Sequence, residues 1–275
     1  MTVGVAPVNG GRLAYEVEGE GPGLVLVHAG VCDRRMWDGV WPALTARHRV
    51  VRYDARGFGE SGPARASFSP RADLVALLDH HGIGRAALCG VSFGGRIALE
   101  TALEYPDRIG ALALVCCAVD WDDAPDELRE RIEEADEAGE EGDVERAVEL
   151  ELRIWLDGDG RAGPLDPVLR ESVRAMNLRA WGLALESTGS AERLMPPAST
   201  RLGSVGVPTL VIAGEYDVPF MTESCRSLAV AVPRARFELL DGVAHLPPLE
   251  RPDLFAPLLL DFLGSVSAAG GLRHS

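Results

Sequence analysis

No lysine occurs among the 275 residues, so all 27 basic side chains are arginines. A deprotonatable amine is therefore missing, which excludes Schiff-base and pyridoxal-type chemistry, Ser-Lys dyads and the lysine of a phosphate-binding P-loop. Positive charge is scarce altogether. Against 42 acidic residues it leaves a formal charge of −15, which sets the chain against DNA, RNA and anionic membrane surfaces as partners. Aromatic residues make up only 6%, and no run reaches the roughly 18 apolar residues that a membrane span needs. The opening Met1-Thr2-Val3-Gly4 lacks the basic and apolar stretches of a signal peptide. Five cysteines form an odd set with no C-x-x-C or Cys/His zinc spacing, in a chain too long to need disulfide staples. A cytoplasmic protein with reduced thiols, and with no nucleic-acid or membrane partner, is the expectation.

What is present is 47% hydrophobic and patterned. Apolar runs of strand length recur at 24–28, 50–53, 86–89, 111–117 and 209–213, and amphipathic stretches at 36–46, 71–81 and 96–105 lie between several of them. Such alternation predicts α/β architecture, a mostly parallel twisted sheet with helices on both faces. Residues 13–17 alternate as an antiparallel edge strand, 236–240 read as the last strand, and 252–263 as a closing helix. From Asp120 to about Thr200 no strand pattern appears, and Asp123 before Pro125 and Asp166 before Pro167 have the form of helix starts. The division expected is a core of 1–119 and 201–275 with an inserted helical cap at 120–200. Between 122 and 145 there are 13 acidic residues against 2 arginines, read as a solvated helical face. The Gly/Ser/Ala-rich tail from about Gly264 reads as frayed.

The chemistry concentrates at Gly90-Val91-Ser92-Phe93-Gly94, a G-x-S-x-G between a predicted strand and a predicted helix. A tight turn there strains the serine backbone and lifts its hydroxyl clear at a helix N-terminus, where developing negative charge is favoured. With this motif the chain resembles the α/β-hydrolase fold family over nearly its whole length. Leu26-Val27-His28-Ala29-Gly30 is similar to the family's oxyanion loop, and Tyr53-Asp54-Ala55-Arg56-Gly57-Phe58-Gly59-Glu60-Ser61 to the strand and loop that follow. Gly214-Glu215-Tyr216-Asp217 and Gly242-Val243-Ala244-His245 look like its acid and base turns, in the order Ser, Asp, His. Ala29 stands where the family more usually has glycine.

The resemblance implies Ser92 as nucleophile, His245 as base and Asp217 as its orienting acid, with the backbone N–H groups of Gly30 and Phe93 as oxyanion donors and no metal or organic cofactor. Asp120 is the rival acid. Ala29, Trp121, Trp155, Trp181 and Leu246 are expected around the substrate, with Met176 and Met195 further candidates. His28 is expected to be structural, His48, His80, His81 and His274 solvated, and Cys32 a wall residue. Gly57-Phe58-Gly59-Glu60-Ser61-Gly62 formally matches a dinucleotide fingerprint, but Pro63 and Pro70 interrupt any helix directly after it. Asp54 and Arg56 are read instead as shaping that loop. The expected activity is a serine hydrolase cleaving a small carboxylic ester or lactone through an acyl-enzyme. Three alternatives stay open. One is carbon-carbon or enol-lactone hydrolysis on the same triad; another is a receptor of this fold with little turnover; the third is a cofactor-free oxygenase or perhydrolase.

Overall fold

A computed structural model describes residues 1–119, 121–161 and 163–268. Eight strands form one sheet in the order β1-β2-β4-β3-β5-β6-β7-β8. They are β1 (Thr2–Val8), β2 (Gly11–Glu18), β3 (Gly23–Val27), β4 (Arg49–Tyr53), β5 (Ala86–Val91), β6 (Ile109–Val115), β7 (Thr209–Gly214) and β8 (Ala235–Leu240). From β4 to β8 every neighbouring pair is parallel, while β1 and β2 add an antiparallel hairpin. The expected antiparallel strand is therefore present, but β1 takes the edge and β2 lies inside it. Pro7 and Gly4 mask β1 in the sequence, since both are poor strand residues, yet a proline is tolerated on an edge. Gly4 faces the Tyr15 hydroxyl, and a Cβ there would come within 2.6 Å of it.

The strands β3 to β7 bury both faces, so apolar residues run continuously and alternate in destination. Val25 and Val27 of β3 join one core, with Leu77 and Ile97 from the helices α2 (Pro70–His80) and α3 (Phe93–Glu104). Leu24 and Leu26 join the other, with Leu44 of α1 (Trp41–Thr45) and Phe255 and Leu259 of α9 (Pro252–Ala268). Helices thus cover both faces, as the βαβ pattern requires. The amphipathic stretch 36–46 is not one helix: a 3-10 turn, Arg34–Trp37, precedes α1. Gly39 lies between the two, against Pro252, and Pro42 sits in the first turn of α1. The closing helix α9 continues past the expected end at 263 to Ala268, so the beginning of the expected tail is helical; 269–275 lie outside the described residues.

Between β6 and β7 come α4 (Asp126–Glu140), α5 (Val144–Trp155) and α6 (Pro167–Glu186). Asp166 caps α6 by accepting from the Val168 N–H at 2.9 Å. Asp123 does not cap α4, which starts at Asp126 after Pro125 without a side-chain cap. The helix α7 (Pro219–Ala231) and the single turn α8 (Pro247–Glu250) complete the set. No helix among the described residues is long and apolar enough to cross a membrane.

Arginine supplies the buried positive charge. Arg34 meets the carboxylates of Glu16, Asp54 and Glu60, and Arg52 meets Glu16 and Asp38. Asp54 also accepts from the backbone N–H groups of Arg34 at 2.8 Å and Glu60 at 2.7 Å. Replacing Asp54 by alanine strands Arg34 and two backbone donors, so Asp54→Ala is expected to lower the unfolding free energy in urea by about 3 kcal/mol. A loss under about 1 kcal/mol would show that the carboxylate is dispensable. All five cysteines are buried, and burial pushes the thiols up, Cys117 to about 12. Native protein at about pH 8 is therefore expected to react with a disulfide reagent at fewer than one thiol per chain, and denatured protein at all five. Fast modification of the native form would contradict this burial.

Candidate active site

At the end of β5 the chain turns into α3 through Ser92, whose φ of 53° and ψ of −114° lie outside the regions that side chains favour. The strain, of order 1–3 kcal/mol, is held by hydrogen bonds from the Ser92 N–H to Val115 O at 2.8 Å and from the Arg96 N–H to Ser92 O at 3.0 Å. The flanking glycines are sterically required. A Cβ on Gly90 would overlap the carbonyl of Gly94, and one on Gly94 would overlap Val27 O and lie 2.6 Å from His28 O. Ser92 sits at the N-cap of α3 without capping it by its side chain, so its half-buried hydroxyl is not engaged with the helix.

Asp217 and His245 follow the C-terminal ends of β7 and β8. Both are buried, and His245 Nδ1 lies 2.8 Å from Asp217 Oδ2. An ionised carboxylate can only accept, so Nδ1 carries the proton and Nε2 presents its lone pair. Asp217 Oδ1 accepts from the Val218 N–H at 2.8 Å, which fixes the carboxylate plane. Gly214 lets the two turns touch, since a Cβ there would overlap Ala244 O. The Trp155 ring lies 4.6 Å from that of His245.

Two residues that the motifs did not single out hold the His245 loop. Glu250 Oε1 accepts from the Leu246 N–H and Oε2 from the Ala244 N–H, each at 2.9 Å, so one carboxylate brackets the histidine. Arg161 pairs with Glu250, donates to Gly242 O at 3.3 Å and lies over the Tyr216 ring. The carboxylate five residues after His245, on a Pro-Pro turn, was a readable signal for Glu250. Arg161, 89 residues away in sequence, offered none.

Cys116 follows β6 at a φ of 46°, and its sulfur, Asp217 and His245 group their ligand atoms within 4.8 Å. Burial first, and then the Asp217 carboxylate, push its thiol well above the ordinary range. A protonated thiol beside a carboxylate already bound to imidazole is a poor donor set for a cation.

The loop after β3 brings Gly30 against α3, where a Cβ would meet Phe93 Cβ at 3.7 Å. Ala29 is outside the left-handed region, so alanine fits there without strain. Its N–H points to Met36 Sδ at 3.2 Å, and its carbonyl accepts from Cys32 N–H at 3.0 Å. His28 is fully buried with both nitrogens used, Nδ1 donating to Ala29 O at 2.8 Å and Nε2 accepting from the Ala55 N–H at 3.0 Å. Burial holds it neutral by lowering its pKa. His48 is buried and His81 half-buried, contrary to the solvated reading; each lies close to packed helix ends, and burial lowers the pKa of His81 to about 4. Asp120 and His274 lie outside the described residues.

The glycine-rich loop wraps a carboxylate rather than a phosphate. Asp54 takes the Glu60 N–H, Gly57 N–H bonds Gly62 O at 2.9 Å, and α2 begins only at Pro70. Arg56 grips Asp73 with two nitrogens at 2.6 and 2.8 Å.

A cleft of about 400 Å³ opens beside this turn, lined by Gly30, Phe58, Phe93, Glu151, Asn177 and Trp181 among others. Of the residues expected around the substrate, Trp181 lines it. Trp155 lies on His245, and Trp121, 38% exposed, rests on Trp155 and Phe220. Ala29 and Leu246 are fully buried and lend it no surface; Met176 is core, and Met195 is exposed to solvent. Cys32 is likewise fully buried in the core.

The sequence profile of the Alpha/beta hydrolase family matches residues 24–258. The pimeloyl acyl-carrier-protein methyl ester esterase of Nitrosomonas europaea is 27% identical, over 87% of this chain and 95% of its own length. The 3-oxoadipate enol-lactonase 1 of Acinetobacter baylyi is 26% identical, over 94% and 95%. Among solved structures, the enol-lactonase from Burkholderia xenovorans LB400 superposes with a TM-score of 0.77 at 26% identity, covering 95% of this chain and all of its own. With the family profile spanning most of its length, this chain belongs to the alpha/beta hydrolase family.

Proposed function

We propose that the protein is a serine hydrolase of a small carboxylic ester or lactone, working through an acyl-enzyme. The observation that carries the reading is the buried Asp217–His245 pair, set at the same edge of a parallel sheet as the strained Ser92. Relatives that are named as a methyl ester esterase and an enol-lactonase support the substrate class.

In this reading His245 Nε2 takes the Ser92 proton as Oγ bonds to the carbonyl carbon. The carbonyl electron pair moves onto oxygen, where the N–H groups of Gly30 and Phe93 receive it. Collapse expels the alcohol, which takes the proton back from His245, and water repeats the sequence to release the acid. Asp217 keeps the proton on Nδ1 and stabilises the imidazolium. Residues 120–200 act as a cap over the core formed by 1–119 and 201–275, since α5 and α6 supply Glu151, Asn177 and Trp181 to the cleft.

Wild-type protein is expected to turn over short and medium chromogenic acyl esters, and to release about one equivalent of chromophore in a burst where deacylation is slow. Ser92→Ala should remove at least about 10⁴-fold of kcat, and Asp217→Asn a similar amount through the wrong tautomer, with circular dichroism unchanged. Ser92→Ala retaining activity within about tenfold of wild type would rule out the serine route. A folded wild type inactive on every ester would move the assignment to carbon-carbon substrates or to a receptor.

A further inference from the structure

Among the described residues only two charged ones line the cleft, Arg56 and Glu151, and they are not equivalent. Arg56 is committed: Asp73 takes two of its nitrogens, the carbonyls of Val8 and Asn9 take further bonds at 2.9 and 3.0 Å, and the guanidinium lies over Phe68. Glu151 is half committed. Asn177 Nδ2 and Trp181 Nε1 both donate to its Oε2, at 2.7 and 2.8 Å. Among the described residues nothing donates to Oε1, which is not among the atoms sealed from solvent. The carboxylate is thus pinned by one oxygen and offers the other to the cleft.

Its surroundings carry the same sign. Burial first, and to a lesser degree the charge of Asp136 on α4, push the Glu151 carboxyl above the usual carboxylate range against the two hydrogen bonds, and α4 holds eight carboxylates against two arginines. Trp181, which donates to Glu151, packs so tightly on α4 that a Cβ on Gly139 would overlap its ring. The other charged side chain on the cleft wall, Arg56, is neutralised by Asp73, and its Nη1 lies against Gly11.

Position sets the length. Glu151 and Trp155 are four residues apart on α5, hence on one face and about 6 Å apart along the axis. Trp155 rests on the His245 ring. A group reaching Glu151 from the reacting carbonyl therefore sits several bonds away, and since Gly30 and Phe93, the oxyanion donors of the proposed reading, line the same cleft, that reading runs the acyl chain into it.

We propose that Glu151, presented by Asn177 and Trp181, selects acyl chains ending in a hydroxyl or amine donor and rejects those ending in a carboxylate. This rests on the serine-hydrolase reading only for which part of the ligand is acyl. The site itself is a hydrogen-bond acceptor, Glu151 Oε1, beside the acidic helix α4.

The test compares p-nitrophenyl esters of four to eight carbons that end in hydroxyl, methyl or carboxylate. For wild type, kcat/KM for the hydroxyl-ended ester of the best length should exceed that of the carboxylate-ended one by about tenfold or more. In Glu151→Gln the oxygen left to the amide still accepts from Asn177 and Trp181, while its NH₂ faces the cleft. The ratio should then fall at least about fivefold, mostly through KM. In parallel, calorimetry on Ser92→Ala measures binding of the matching intact methyl esters, a readout independent of turnover. Equal binding and equal kcat/KM of the hydroxyl and carboxylate series in otherwise active protein overturns the proposal and leaves the hydrolase reading standing. Selective binding of the hydroxyl series with no turnover of any ester by wild type overturns the hydrolase reading and leaves the Glu151 site standing. If Glu151→Gln fails to fold, the wild-type comparison decides alone.

Discussion

At the end of β5 the backbone has no room for a side chain at Gly90 or Gly94, and the position of the remaining site elements follows from that crowding. Gly94 lies against the carbonyls of Val27 and His28, so the end of β3 and the start of α3 approach to backbone contact. The same approach places Gly30 next to Phe93. Ser92 takes up the turn with a positive φ, and its N–H is tied to Val115 of the next strand. The pattern repeats across the sheet edge: Cys116 N–H bonds Ile212 O at 2.8 Å, and Glu215 N–H bonds Leu240 O at 3.0 Å. Sheet hydrogen bonding thus runs just beyond the ends of β5, β6 and β7. The proposed nucleophile and acid therefore stand on, or two residues past, paired backbone, where small shifts are resisted by a whole ladder.

A chain without lysine solves its internal electrostatics with guanidinium forks. Arg34 binds three carboxylates at once, in a geometry that an ammonium on a flexible stem does not reproduce. Its partner Asp54 in turn holds the loop whose Ala55 N–H bonds His28, the residue that follows β3. At the opposite side of the site, Arg161 and Glu250 do comparable work for the His245 loop. In both places a buried ion pair fixes the path of a loop, which is a matter of conformational specificity more than of net stability.

The parallel core, the strand-to-helix turn at Ser92 and the places of Asp217 and His245 just past strand ends were readable in the sequence because each rests on local pattern. A buried strand shows as an apolar run, and a residue at its end shows as the first polar group after it. The edge strand β1 was not readable, because Gly4 and Pro7 contradict strand propensity and only the Tyr15 contact explains the glycine. Neither was the break in 36–46 predicted, although Gly39 and Pro42 marked it. His48 and His81 were misjudged for a different reason: helix-end position says nothing of what packs over it. The cleft was the least legible part. Glu151 meets Asn177 and Trp181 across 26 and 30 residues, and Arg161 meets Glu250 across 89, so no window of sequence contains these pairs.

This unevenness has a physical origin. The sheet supplies groups whose geometry must be right to within a fraction of an ångström, and it does so with short-range rules that leave a trace in composition: glycines where backbone touches backbone, and a strained serine between them. The helices between β6 and β7 supply shape and charge, and there the constraint is a sum over packed side chains, which many sequences satisfy. On α5 the two meet along one face. Trp155 lies on the proposed base, and one turn away Glu151 faces the cleft, held by two donors one turn apart on α6. The segment with the weakest sequence signal therefore touches both the proposed chemistry and the proposed selectivity, and a change in the register of α5 by a single residue would rotate both side chains away by about 100° together.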